Sequence, residues 1–178
     1  MTASPALPIG ASGIRWAWIA IAVIVGDQWS KAWIEGHFVL GERMALLPVL
    51  DIVRAHNPGV AFSFFADSGG WQRWAFSVLA LAVSVALLVW LRRLALATHA
   101  WLVLGLALIL GGAIGNAIDR VEHGYVVDFI HAHWGGAYFP AFNVADSAIT
   151  VGAVLVILDA LRESRRERRH ALEGRREP

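Results

Sequence analysis

Apolar residues in this chain come in four long runs, and polar residues gather between them. The runs extend from Ile14 to about Ile34, from Trp74 to Leu91, from Ala100 to about Ile118 and from Phe142 to Leu161. Each approaches the ~20 residues a helix needs to cross the hydrocarbon core of a bilayer. The pattern predicts an all-α membrane protein with four transmembrane helices. The first run carries Asp27-Gln28-Trp29-Ser30-Lys31 in its last third, a poor small-residue cleavage site, so it reads as a retained helix rather than a removable leader. Residues 36–70 and 120–141 form two large loops. In the first, Gly41-Glu42 and Asn57-Pro58-Gly59 are turn signals. The pieces His37–Leu40, Leu46–Arg54 and Val60–Phe65 favour strands, which predicts a small extracytoplasmic antiparallel β-sheet. Pro48 argues against a long central strand there.

Basic residues orient the helices. Arg92-Arg93 and the arginines of RESRRERRHALEGRREP (162–178) flank one side. Cytoplasmic segments carry such residues, so both termini and the 92–99 loop are expected inside and the two large loops outside. Residues 1–13 read as a flexible cytoplasmic lead and 162–178 as a basic cytoplasmic tail, a frayed surface helix or disordered, able to touch anionic lipid. The composition agrees: 57% of residues are hydrophobic and only 16% charged, where a soluble domain carries about a quarter charged. A net charge of +1 gives no reason to expect a nucleic-acid partner. The absence of cysteine excludes disulfides, thiol nucleophiles and thiolate metal sites.

The topology has a chemical consequence. Asp27 lies toward the outer end of the first helix, Asn116 and Asp119 at the outer end of the third, and Asn143 and Asp146 at the outer end of the fourth, with Asp128 in the loop between. Acids at membrane depth are costly, which points to function. The Asn-x-x-Asp spacing occurs twice and places an amide beside a carboxylate on one helix face. Ser63, Ser77, Ser84 and Ser147 are candidate nucleophiles, but none sits in a Gly-x-Ser-x-Gly elbow. His131-x-His133 is a weak metal signal, and no metal or cofactor is expected. Paired aspartates remain: two close carboxyls share a proton, one activating water while the other polarises a carbonyl. Spacing leaves Asp27, Asp119, Asp128 and Asp146 as candidates. Local alternatives exist: Asp27 with Lys31 as an interfacial ion pair, and Arg120 paired with Asp119 or Glu122. A proton-coupled carrier or an assembly subunit would also keep membrane acids. Asp159 has no assigned role, and Gly135-Gly136 is a conceivable lid hinge.

Five motifs carry a family resemblance: Asp27-Gln28-x-Ser30-Lys31, Asn57-Pro58-Gly59-Val60-Ala61-Phe62, Gly112-Ala113-x-Gly115-Asn116-x-x-Asp119-Arg120, Val127-Asp128-Phe129 and Phe142-Asn143-x-Ala145-Asp146-Ser147. Over about residues 14–161 the chain resembles the lipoprotein signal peptidases (signal peptidase II). The resemblance implies a four-helix transmembrane aspartyl endopeptidase of the bacterial cytoplasmic (inner) membrane. It would remove signal peptides from diacylglyceryl-modified prolipoproteins just before the lipidated cysteine. It implies Asp128 and Asp146 as the catalytic pair. Asp27, Lys31, Asn57, Gly112, Asn116, Asp119, Arg120, Asn143 and Ala145 would shape the site or contact substrate. Membrane lipid, inhibition by globomycin-type peptides and a monomeric state are further expectations.

Overall fold

The computed structural model describes residues 12–59, 71–95 and 99–173. The lead up to residue 11, the expected strand Val60–Phe65, part of the 92–99 loop and residues 174–178 lie outside the described residues. A short 3-10 helix (Gly13–Trp16) leads into α1 (Ala17–His37). Next come β1 (Arg43–Leu47), β2 (Leu50–Asn57), α2 (Trp71–Arg93), α3 (Ala100–Glu122), β3 (Val126–Trp134), β4 (Ala137–Tyr138) and α4 (Val144–Glu173). Three stretches, Arg73–Arg93, Ala100–Glu122 and Val144–Arg169, are long and apolar enough to cross a membrane. α1 has 21 residues, but Asp27, Gln28 and Lys31 in its second half lower its hydropathy, and it is not in that group.

α3 is the central helix and packs against α1, α2 and α4. Small residues set these approaches: a Cβ on Gly105 would lie 2.7 Å from the Gly152 carbonyl oxygen, and one on Gly152 would lie 2.6 Å from that of Gly105. Such small-residue pairs let helix backbones touch where no hydrophobic force draws helices together. Leu87 and Leu91 of α2, Val103, Leu106 and Leu110 of α3, and Ala20 of α1 form the main buried cluster. At one end Arg162 stacks over Trp101, 3.7 Å from its centroid, and Asp159 lies 3.7 Å from His99, so Asp159 joins α4 to the start of α3.

The four strands form one antiparallel sheet in the order β1-β2-β3-β4. Ile34 and Phe38, at the end of α1, pack on Val127 and Phe129 of β3 and fasten the sheet to the bundle. Several expectations change here. Leu46–Arg54 is split by a turn at Pro48-Val49, with Leu47 opposite Leu50. His37–Leu40 is a helix end and turn, held by the Phe38 N–H on the Ile34 carbonyl and the Val39 N–H on Glu42. The 120–141 loop is largely ordered: α3 runs to Glu122, and β3 pairs with both β2 and β4. Gly135 and Gly136, at φ +56° and +86°, form the tight β3–β4 turn. The basic tail continues α4 as helix to Glu173.

Candidate active site

Asp27 and Lys31 are four apart on α1 and therefore share a face. They are 0% and 3% exposed, so this is no interfacial pair. The Lys31 ammonium lies 2.7 Å from Asp27 and 2.9 Å from Asp119, and donates to Asn116 Oδ1 at 3.2 Å. Three donors meet three acceptors, which satisfies the buried cation. The second Asp27 oxygen accepts the Ala145 N–H at 2.9 Å, in the first turn of α4, where a carboxylate complements the helix dipole. Asp27 thus joins α1 to α4. Two glycines of α3 make room: a Cβ on Gly115 would lie 2.7 Å from Asp27 Oδ2, and one on Gly112 would collide with the Ala145 carbonyl.

Asp119 also accepts the Val127 N–H at 3.1 Å, which ties the start of β3 to α3. It makes no direct bond to Arg120, contrary to one alternative. Arg120 instead donates to the Asn116 carbonyl at 3.1 Å and lies over Phe76 of α2, 5.5 Å from its centroid. Its Nε is buried without a hydrogen-bond partner, and its charge acts on Asp146, Asp128 and Asp119.

Asn143 and Asp146 form a reciprocal cap at the start of α4. The Asp146 N–H donates to Asn143 Oδ1 at 2.9 Å, and the Asn143 N–H donates to Asp146 Oδ2 at 3.3 Å. This is the capping-box arrangement, with an amide and a carboxylate at its two positions. The Asn143 amide donates to Asp128 Oδ1 at 2.8 Å, while Asn57 donates to Asp128 Oδ2 at 3.1 Å. Asn116 donates to Asp146 Oδ1 at 2.7 Å and accepts from Asn143 at 3.1 Å. Asp128 and Asp146 are therefore held by one set of asparagines, and Asp128 is 3% exposed. Burial, and then the charge of Asp146, push the Asp128 carboxyl from 3.8 up to about 7, against the opposing hydrogen bonds from Asn57 and Asn143. A carboxylic acid that keeps its proton near neutrality, beside a second carboxyl, has the makings of an acid–base pair.

The residues that the family resemblance implies for the site fall in this cluster. Gln28 was not singled out, yet it donates to Asp119 at 2.8 Å and to the Gly115 carbonyl at 3.2 Å. Its place between Asp27 and Lys31 on α1 was the available signal. Ser77 donates to the Arg73 carbonyl in α2, and Ser147 to the carbonyl of Asn143, the cap of α4. Ser63 lies outside the described residues. His131 and His133 sit on the sheet with Asp51 and Tyr138, apart from the asparagine-bound acids.

A family profile described as Signal peptidase (SPase) II matches residues 19–162. A lipoprotein signal peptidase of Shewanella halifaxensis (strain HAW-EB4) is 51% identical over 150 residues, covering 84% of this chain and 87% of that protein. One from Shewanella woodyi (strain ATCC 51908 / MS32) is 49% identical over 151 residues, covering 84% and 85%. A solved structure described as a bacterial membrane enzyme obtained by the in meso method at 2.3 Å resolution has a TM-score of 0.73 at 30% identity, covering 89% of this chain and 92% of that one. A second, at 1.9 Å, has a TM-score of 0.71 at 30% identity, covering 88% and 96%. With the profile spanning most of its length and relatives at about half identity over most of both sequences, the chain belongs to the signal peptidase II, or lipoprotein signal peptidase, family.

Proposed function

We propose that this chain is an aspartyl endopeptidase that cleaves the signal peptide from diacylglyceryl-modified bacterial prolipoproteins, just before the lipidated cysteine. Asp128 and Asp146 are its catalytic pair. The observation that carries the reading is that Asn143 donates to both carboxyls, through its amide to Asp128 and its backbone N–H to Asp146, with Asp128 pushed up to about 7. Protonated Asp128 donates to the scissile carbonyl oxygen, and Asp146 takes a proton from water. The hydroxyl oxygen bonds to the carbonyl carbon and gives a tetrahedral diol. Asp146 passes its proton to the departing nitrogen as the C–N bond breaks, and the diol proton returns to Asp128. The products are a carboxyl end and a free amine. Arg120 is poised to orient a substrate carbonyl or phosphate, since its Nε is buried and unpartnered.

The membrane setting supports this. All four helices span in this reading, α1 included: its Asp27 and Lys31 are buried and paired inside the bundle, so they do not face lipid. Both termini are cytoplasmic, because Arg92-Arg93 and the tail arginines flank that side. The site then lies near the outer surface of the bacterial inner membrane. There a signal helix and its lipid can remain in hydrocarbon while the peptide bond reaches the acids. A structure with a globomycin-type peptide tests it. A backbone carbonyl of the bound peptide is expected within hydrogen-bonding reach of both Asp128 and Asp146. A peptide bound away from either acid overturns the assignment.

A further inference from the structure

The two hairpin tips of the sheet are apolar and bare. β1 is exposed along its whole length. Leu46, Leu47 and Val49 project around the β1–β2 turn, and Trp134 and Phe139 flank the β3–β4 turn, with Trp134 77% exposed and Leu47 55%. Both turns lie at the same end of the sheet: Leu50 pairs with Ala132, and the His133 N–H donates to the Val49 carbonyl at 2.9 Å. No charged residue occurs between Met44 and Leu50 or between Trp134 and Phe142. A soluble hairpin tip normally carries charge or turn-forming polar residues.

We propose that these paired tips insert into the outer leaflet of the bilayer, so that the sheet lies along the membrane surface. The proposal rests on the bilayer-spanning reading given above. Three observations select lipid as the occupant. Exposed apolar residues lead from the first helix toward the tips, through Trp29, Trp33, Val39, Leu40, Met44 and Leu46, broken by the exposed pair Glu42 and Arg43. The tip backbone is partly satisfied internally, as a segment entering lipid must be. Pro48 has no N–H to lose, Val49 accepts from His133, and the Phe139 N–H donates to the Ala132 carbonyl at 2.9 Å. Trp134 and Tyr138 are the residue types that settle at the headgroup boundary.

The geometry gives the anchor a role. Asp128 and Trp134 are six residues apart on β3, about 20 Å at strand rise. Fixing the tips at the interface sets the tilt of the sheet and hence the depth of the Asp128 end, where the lipidated substrate must arrive.

The chain has no cysteine, so single-cysteine variants carry a fluorophore at one place. Leu47→Cys and Trp134→Cys report the tips, Leu81→Cys the exposed face of α2, and Ser164→Cys the exposed end of α4. All four are placed in nanodiscs of phosphatidylethanolamine and phosphatidylglycerol. Nitroxide lipids labelled near the glycerol should quench both tip labels, and iodide should quench them at least about threefold less than the Ser164 label, as for interfacial side chains. Tip labels open to iodide while Leu81 is quenched by lipid overturn the anchor alone. Tip labels shielded from both quenchers also overturn it, since a second copy or another protein then covers them. Leu81 labels open to iodide contradict the spanning reading instead.

Discussion

Replacing Asp128 with Asn should make the protein more stable at alkaline pH than at acid pH relative to the native chain. In the folded protein the Asp128 carboxyl is pushed from 3.8 to about 7. The folded state therefore keeps this proton between about pH 4 and pH 7, while the unfolded chain releases it. Unfolding releases a proton in that window, so the stability this proton confers is present at low pH and fades as pH rises through about 7. At about 1.36 kcal/mol per pH unit, the rise from 3.8 to about 7 corresponds to ~4 kcal/mol. Asn at this position does not titrate, so the variant loses the slope. It also loses one of the two hydrogen bonds from Asn57 and Asn143, because a neutral amide presents a single acceptor. That costs about 1–3 kcal/mol at every pH and shifts the whole curve without tilting it. The assay is thermal unfolding in detergent, followed by tryptophan fluorescence from about pH 5 to about pH 8. The difference in midpoint, variant minus native, should grow by at least about 5 °C across that range. Asp146→Asn removes the charge that helps raise Asp128 and should move the native slope toward lower pH. A midpoint difference that is flat with pH, or that shrinks as pH rises, refutes the assignment of the proton to Asp128.

Other substitutions probe the frame. Lys31→Ala leaves Asp27 and Asp119 buried together without their cation and should destabilise by about 3–5 kcal/mol, read as a lower unfolding midpoint. Gly112→Ala drives a methyl group into the Ala145 carbonyl. It should push α4 and Asp146 away and cut turnover of a lipidated precursor by roughly 100-fold, as a displacement near 1 Å does. Asn143→Ala removes the α4 cap and the amide held by Asp128, costing about 0.5–2 kcal/mol of stability from the cap and most of the cleavage activity. Gln28→Ala should cost only about 1 kcal/mol, because its partners keep Lys31 and Val127.

Much of this architecture was legible from the spacing of apolar runs and from the depth at which acids interrupt them. Asn116 and Asp119 share a face simply because they are three apart on a helix. The same spacing in Asn143 and Asp146 has a different cause, a cap at a helix start, which a sequence shows only once the start of α4 is known. β3 was harder to see. Val126, Val127, Asp128 and Phe129 are all buried, so the strand lacks the alternation that marks a half-exposed one, and its position between two spans suggested a loop. The helical tail was hidden for the opposite reason: its charged residues are exposed all round and give no periodic signal. Gln28 stands in a motif but shows no role there, because an uncharged amide between Asp27 and Lys31 declares no partner until the α3 carboxylate it serves is in place.

The central claim is that Asp128 and Asp146 together hydrolyse a peptide bond. It is tested most directly by cleavage of a lipid-modified precursor in bilayers by Asp128→Asn and by Asp146→Asn, each checked for correct insertion. The account predicts that turnover falls by at least about 1,000-fold in both, as loss of an essential acid or base requires. Native turnover by either variant would contradict it.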